Sequence, residues 1–460
     1  MTTAPRASPD DKHRRRSLPR SRTFAVSQKA THIWTTLWVV LALALVVRTT
    51  IRPDERGVIL DSLEFGRRFA HGEYVYATKS VGSNAPSQPL HAPYPPSFGI
   101  LMAPFALIED HFGLRPARCA FGLLQVAALV VIFSALRRLP TGRSPPDQSR
   151  FNWLVLATLL TAARFVLRDT HGGGGNLINL AICLRAYESA ERGRPTTAGL
   201  WLGLSLLTKP TQLLLLPVFW LLGHKSAVGW ALATISGGVL FSIALTNGDL
   251  SAWQRWLNGS IAFTSQQDPF VVPRFGFPPF EWMNQSLRCA MARWLGTVPP
   301  DFANRVKLGV VPGFGLSVAA TAFATRFLSI GATLILFYKA GKAKNGAAHA
   351  KVMVFCAALI LSLALSPLSW KAHHVAMLPL LFALIRKATE QRSYAARWLL
   401  AAFIIGCALG REILGDDIDE LGNSLYIVSA LDCALFLAAI LGAKAISTYP
   451  KKIAGRDIDQ

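Results

Sequence analysis

The chain has 460 residues, of which 52% are hydrophobic and only 16% charged. Its 48 Lys and Arg outnumber 26 Asp and Glu, giving a net charge of +22. A soluble chain of this length would form two or three domains and carry more charge. Cationic loops on the cytoplasmic face of a membrane protein account for the basic excess, which sets nucleic acid aside as a partner.

Residues 1–32 carry eight Lys and Arg and two Asp with no periodicity, and read as a disordered cytosolic tail. The first apolar run, IWTTLWVVLALALVV (33–47), comes late and no small-residue cleavage site follows, so it reads as a retained span. Further spans are expected near 118–136, 152–168, 174–191, 196–208, 211–223, 226–246, 315–338, 351–366, 374–386, 396–412 and 424–444. Lys209-Pro210 divides a 27-residue apolar stretch into two half-length helices (196–208 and 211–223). The piece PSFGILMAPFALI (96–108) is short and broken by proline, as in an interfacial or re-entrant helix. The fold class is therefore an all-α integral membrane protein, a bundle of about twelve (ten to thirteen) transmembrane helices. Its single polytopic domain covers 33–446, with a cytosolic tail at 447–460. The Lys/Arg-rich segments 137–150, 191–197, 224–226, 339–351, 386–397 and 444–456 go to the cytoplasm with both termini. The expected location is the plasma (inner) membrane.

The first outer loop (52–117) and a long outer loop (247–312) then share the extracytoplasmic face with RDTHGGGGN (168–176), TKPTQ (208–212), SPLSWKAHH (366–374) and GDDIDE (415–420). Most residues suited to chemistry fall there. Asp61 begins DSLE, which also reads as a helix start capped by Asp61 with Glu64 as its partner. Lys209, at a proline break between half-helices, fits an ionisable group held at membrane depth for binding, or one snorkelling to the interface. Arg168 and Asp169 read equally well as a surface ion pair. The Gly172–Gly175 run permits close backbone approach, and could offer N–H groups to an anion at the helix that follows. Trp370, Lys371, His373 and His374 form either a site or an interface anchor. Tyr94-Pro95-Pro96 fixes an extended entry to the 96–108 helix. The cysteines are widely spaced with no CxxC, and the acidic cluster Asp416, Asp417, Asp419 reads as a solvated loop, so no metal is expected.

The order of an Asp in the first outer loop, YPPSFGILMAPFALI, GGGGNLINLAICLRAYESAERGRPTTAGLWLGLSLLTKPTQLLLLP, NQSLR and LSPLSWKAHH resembles glycosyltransferase family 87. That family comprises integral-membrane enzymes of GT-C architecture that use polyprenyl-phosphate-linked sugars, often mannose. Members commonly show Gly-Gln-Xaa-Asn where this chain has four glycines before Asn176, so the glutamine has no counterpart here. The resemblance implies transfer of a hexose, mannose by preference, to an extracytoplasmic glycolipid or glycan, with inversion and without a cofactor. It implies Asp61 as general base, with His373 bonding the phosphate or orienting the base; two residues separate Trp370 from His373 where the family commonly has one, so His374 is the alternative for that role. Lys209, Arg168, Lys371, His374 and Tyr94 would hold the donor phosphate and lipid. Glu64, Asn176, Trp370 and Asn284 would meet the sugar or acceptor. A lipid or solute transporter is the alternative; it would be expected to show an internal repeat, and none is evident.

Overall fold

The computed structural model describes residues 28–51, 58–76, 94–141, 146–271, 279–306, 309–408 and 414–443. The 447–460 tail and all but the last residues of the 1–32 tail lie outside these ranges. All regular structure among the described residues is helical. In chain order the helices are α1 (Gln28–Ile51), α2 (Val58–Ala70), α3 (Phe98–Phe112), α4 (Leu114–Arg138), α5 (Gln148–Thr161), α6 (Ala163–Gly172), α7 (Asn176–Glu191), α8 (Pro195–Thr208), α9 (Leu215–Leu221) and α10 (Lys225–Leu245). After these come α11 (Ser251–Ser265), α12 (Leu287–Leu295), α13 (Pro300–Ala303), α14 (Val318–Ala343), α15 (Ala348–Leu365), α16 (Leu378–Glu390), α17 (Tyr394–Phe403), α18 (Asp416–Ser424) and α19 (Ile427–Gly442).

Among the described residues, α4, α10, α14 and α15 are long and apolar enough to cross a membrane. The count rises to six if the bent pairs α5–α6 (72°) and α18–α19 (58°) each form one span. This is fewer than the twelve crossings expected from the apolar runs. The helices fall where those runs lie, but several are short. The 14 residues of α8, at about 1.5 Å each, reach roughly 21 Å against a hydrocarbon core of about 30 Å.

The break between α8 and α9 follows from Pro210. Proline excludes the helical region for the residue before it, and Lys209 is extended at φ −146°, ψ 99°. A short 3-10 turn, Pro210–Gln212, then leads into α9. Gly199 and Gly203, four apart on α8, press against Ala227, Trp230, Ala231 and Thr234 of α10, leaving no room for a Cβ. That is the small-residue packing by which apolar helices approach when they have no water to escape. In the same way Gly66 of α2 lies on the backbone of α3 at Met102, and Gly99 of α3 lies under Phe69. One apolar core runs through the bundle from Leu45 to Ile440.

The two ends of the bundle differ in chemistry. At one end the basic segments are tied together by ion pairs. Glu188 meets Arg138, Arg185 and Arg192, Glu191 meets His224 and Lys351, and Glu390 meets Arg150 and Arg386. The opposite end gathers the α2 start, the glycine-rich turn, the Lys209 break and the 366–374 segment.

Candidate active site

The glycine-rich turn makes the centre of the site. Asp169, on the last turns of α6, is fully buried. Its carboxylate accepts from the Asn176 N–H (3.1 Å), the Asn176 side-chain amide (2.6 Å) and the Leu177 N–H (2.8 Å). The anion at the start of α7 is therefore the protein's own carboxylate, satisfying N–H groups that a helix start leaves open. Glycine is required at 174 because a Cβ there would strike Asp169 and Asn176. It is required at 173 because φ is +67° and Ile59 of α2 occupies the Cβ position. The turn thus docks on the first turn of α2, which carries Asp61.

Lys209 is 3% exposed. Its ammonium donates to the Gly174 carbonyl and to Asn176 Oδ1 at 2.8 Å. It also stands 5.2 Å from the centre of the Tyr94 ring. Asn176 therefore links Lys209 to Asp169, its oxygen toward the ammonium and its amide toward the carboxylate. Burial, followed by the charges of Asp169 and Asp61, pushes the Tyr94 hydroxyl well above the ordinary tyrosine range, which keeps it a neutral donor. Its ring stacks on Phe98 at 4.2 Å.

The segment after α15 runs through Ser366 into a 3-10 helix, Lys371–Met377, packed against α6. The two adjacent histidines diverge. His374 is buried, with Nε2 3.0 Å from Asp432, Nδ1 3.1 Å from the Trp370 carbonyl, and its ring stacked on Phe165. His373 is half-buried and accepts the Trp370 N–H at Nδ1, 2.9 Å away. In a neutral imidazole that leaves the proton on Nε2. Burial, the Lys209 charge and His374 hold His373 well below the ordinary histidine range, so it stays neutral. Its Nε2–H is therefore a neutral hydrogen-bond donor.

The structure brings Asp61, Tyr94, Asn176, Lys209 and His373 together. Asp61 is exposed within the first turn of α2, since that helix starts at Val58 rather than at Asp61. Glu64 turns toward Arg67 (2.6 Å) and Arg68 (2.9 Å). Arg168 is exposed, whereas its neighbour Asp169 is buried, so the two do not form the surface pair their sequence allows. The Lys371 ammonium lies 3.0 Å from both Asp419 oxygens. Arg164 meets the same carboxylate, so Asp419 is a half-buried counter-ion rather than part of a solvated loop. Trp370 is half-buried, and its indole N–H has no partner among the described residues. Asn284 spends its side chain on the backbone, donating to Pro279 and Pro367 (both 2.9 Å) and accepting from Ser369 (2.8 Å). It braces the 366–374 segment from behind. Among the described residues no group of three or more His, Cys, Asp or Glu is placed to hold a metal ion.

The sequence reading took Asp169 only as a surface partner of Arg168, and it passed over Arg164 and Asp432. The signal for the last two was there: each is an ionisable residue inside an apolar run, which is costly unless paired.

The profile of glycosyltransferase family 87 matches residues 92–367. Tyr94, Asp169, Asn176, Lys209 and Asn284 fall within that match; Asp61 precedes it and His373 follows it. Two relatives named polyprenol-phosphate-mannose-dependent alpha-(1-2)-phosphatidylinositol mannoside mannosyltransferase align over most of the chain. The Mycobacterium tuberculosis protein is 25% identical over 384 residues, covering 81% of each chain. The Mycolicibacterium smegmatis protein is 26% identical over 349 residues, covering 75% of this chain and 72% of its own. No solved structure matches. The family match decides for an enzyme over a transporter: the chain belongs to glycosyltransferase family 87 and is a glycosyltransferase.

Proposed function

We propose that the protein transfers a hexose, mannose by kinship with the two relatives, from a polyprenyl-phosphate-linked sugar to a glycolipid or glycan, with Asp61 as general base. The acceptor oxygen bonds to the anomeric carbon from the face opposite the phosphate. The bond from that carbon to the phosphate oxygen breaks, and its electron pair leaves with the phosphate. Asp61 takes the hydroxyl proton, and the configuration inverts. The phosphate is already a good leaving group, so one carboxylate suffices without a paired acid. Lys209, the His373 Nε2–H and the Tyr94 hydroxyl supply a cation and two fixed donors for the charge that grows on the phosphate.

The observation that carries this reading is the docking of Gly173 on Ile59, which sets the exposed Asp61 beside Tyr94, over whose ring Lys209 lies. Purified protein given labelled polyprenyl-phospho-mannose and extracted membrane glycolipids should yield labelled glycolipid. Transfer only from a glucose or arabinose donor would overturn the sugar, and transfer from none would overturn the reaction.

The site faces away from the cytoplasm, both termini lie inside, and the chain crosses the membrane about twelve times in a GT-C-like bundle. The ion-paired gathering of the basic segments at the end remote from Lys209 supports this topology. An impermeant thiol reagent applied to intact cells should label a cysteine placed at Asp416 and spare one placed at Gly193. The reverse pattern would invert the topology.

A further inference from the structure

A second cleft, of about 280 Å³, opens between α11, α12 and α14. Its walls include Arg288, Thr321, Thr325, Arg326 and Leu365. Arg326 is exposed, eight residues beyond the first residue of α14, which puts it about 12 Å along a candidate span. Its neighbours Phe323, Phe327 and Ile330 are 72%, 72% and 60% exposed, so this face of α14 is a lipid-facing one. A cation there is expensive without an anion, and among the described residues no carboxylate pairs with it. The Arg288 guanidinium donates to the carbonyls of Phe263 (2.8 Å) and Gln266. Those neutral partners leave its charge standing, and among the described residues Asp268 is the carboxylate that acts on it. Thr321 is 6% exposed, and its hydroxyl has no partner among the described residues. Two cations and an unpaired hydroxyl thus line a pocket open to hydrocarbon.

We infer that this cleft binds the phosphodiester headgroup of one anionic membrane lipid, with the acyl chains lying along α14. A phosphodiester offers two oxygens that share one negative charge to forked guanidinium donors, and the Thr321 hydroxyl can donate a hydrogen bond to a third acceptor. Leu365, one of the residues lining the cleft, immediately precedes Ser366 of the segment that bears His373. The bound lipid therefore touches the residue from which that segment starts. The inference stands on binding alone and does not rest on the transfer reaction.

The test is lipid retention by the purified full-length protein, read by native mass spectrometry during titration with phosphatidylglycerol or with phosphatidylcholine of the same chains. The wild type should bind one phosphatidylglycerol about tenfold more tightly than phosphatidylcholine, and R326Q should abolish that preference. R288Q risks loosening the α11–α12 loop through its carbonyl bonds. T321V, which removes only the hydroxyl, is therefore the second variant, and it should weaken phosphatidylglycerol binding. An excess of inorganic phosphate should leave the lipid in place. Equal binding of the two lipids by the wild type, an undiminished preference in R326Q, or displacement by inorganic phosphate would each overturn the inference.

Discussion

Asp169→Asn isolates the role of the buried carboxylate, because the substitution keeps the shape and removes the charge. In the wild type one oxygen accepts two N–H groups from Asn176 and the other accepts the Leu177 N–H. An asparagine amide can keep only one of those oxygens as an acceptor. Turned to hold Asn176, it points its NH2 at the Leu177 N–H, so one charge-assisted bond of about 1.5–3 kcal/mol is lost and the remaining two drop to neutral strength, about 1 kcal/mol less each. The expected total is about 3–5 kcal/mol. Lys209 would also lose the negative charge it reaches through Asn176. Thermal unfolding in detergent measures this against Thr170→Val, which removes only a side-chain bond to the helix's own backbone at Val166. D169N should lower the midpoint far more than T170V. The double variant D169N/K209M should lose less than the sum of the singles, as coupled groups do. A D169N midpoint equal to wild type, or strict additivity in the double variant, would refute the account of the glycine-rich turn.

Lys209→Met should cut the transfer rate by about 10²–10³-fold, the usual loss of one fixed charge at a developing anion; Lys209→Arg should recover part of it, and equal loss in both would show that geometry rather than charge is at stake. His373 is held neutral in the folded state, so the unfolded chain binds more protons below the ordinary histidine value of about 6.5. Stability should therefore be complete above that pH and fall by about 1.4 kcal/mol per pH unit below it. His373→Asn should flatten that limb in a series of unfolding midpoints. Gly203→Val should cost about 1–3 kcal/mol by forcing α8 off Thr234. Gly229→Ala, on a part of α10 that meets nothing, should be neutral or stabilising by up to about 1 kcal/mol.

The apolar runs placed most helices, because hydropathy alone decides which segments can leave water. The break at Lys209-Pro210 was equally legible, since proline acts on the residue before it whatever the fold. Span number was harder to read, because a run of apolar residues does not fix where the helix within it starts or bends, as the turn at Ala162 between α5 and α6 shows. Side-chain direction was harder still. Arg168 and Asp169, like His373 and His374, are neighbours in sequence, yet successive residues on a helix point about 100° apart. In each pair one side chain is more deeply buried than the other. The Arg164–Asp419–Lys371 cluster joins residues from three distant segments, and no spacing in the chain announces it.

Asp61 as the base that takes the acceptor's proton is tested by the transfer rate of Asp61→Asn against wild type, with the thermal midpoint of each. Asp61 is exposed in a first helical turn, and the thermal midpoint separates a loss of folding from a loss of chemistry. The account predicts a variant of near-normal stability whose transfer rate from polyprenyl-phospho-mannose falls by about 10²–10⁴-fold. A folded variant that transfers at the wild-type rate would contradict it, and the base would have to be sought elsewhere.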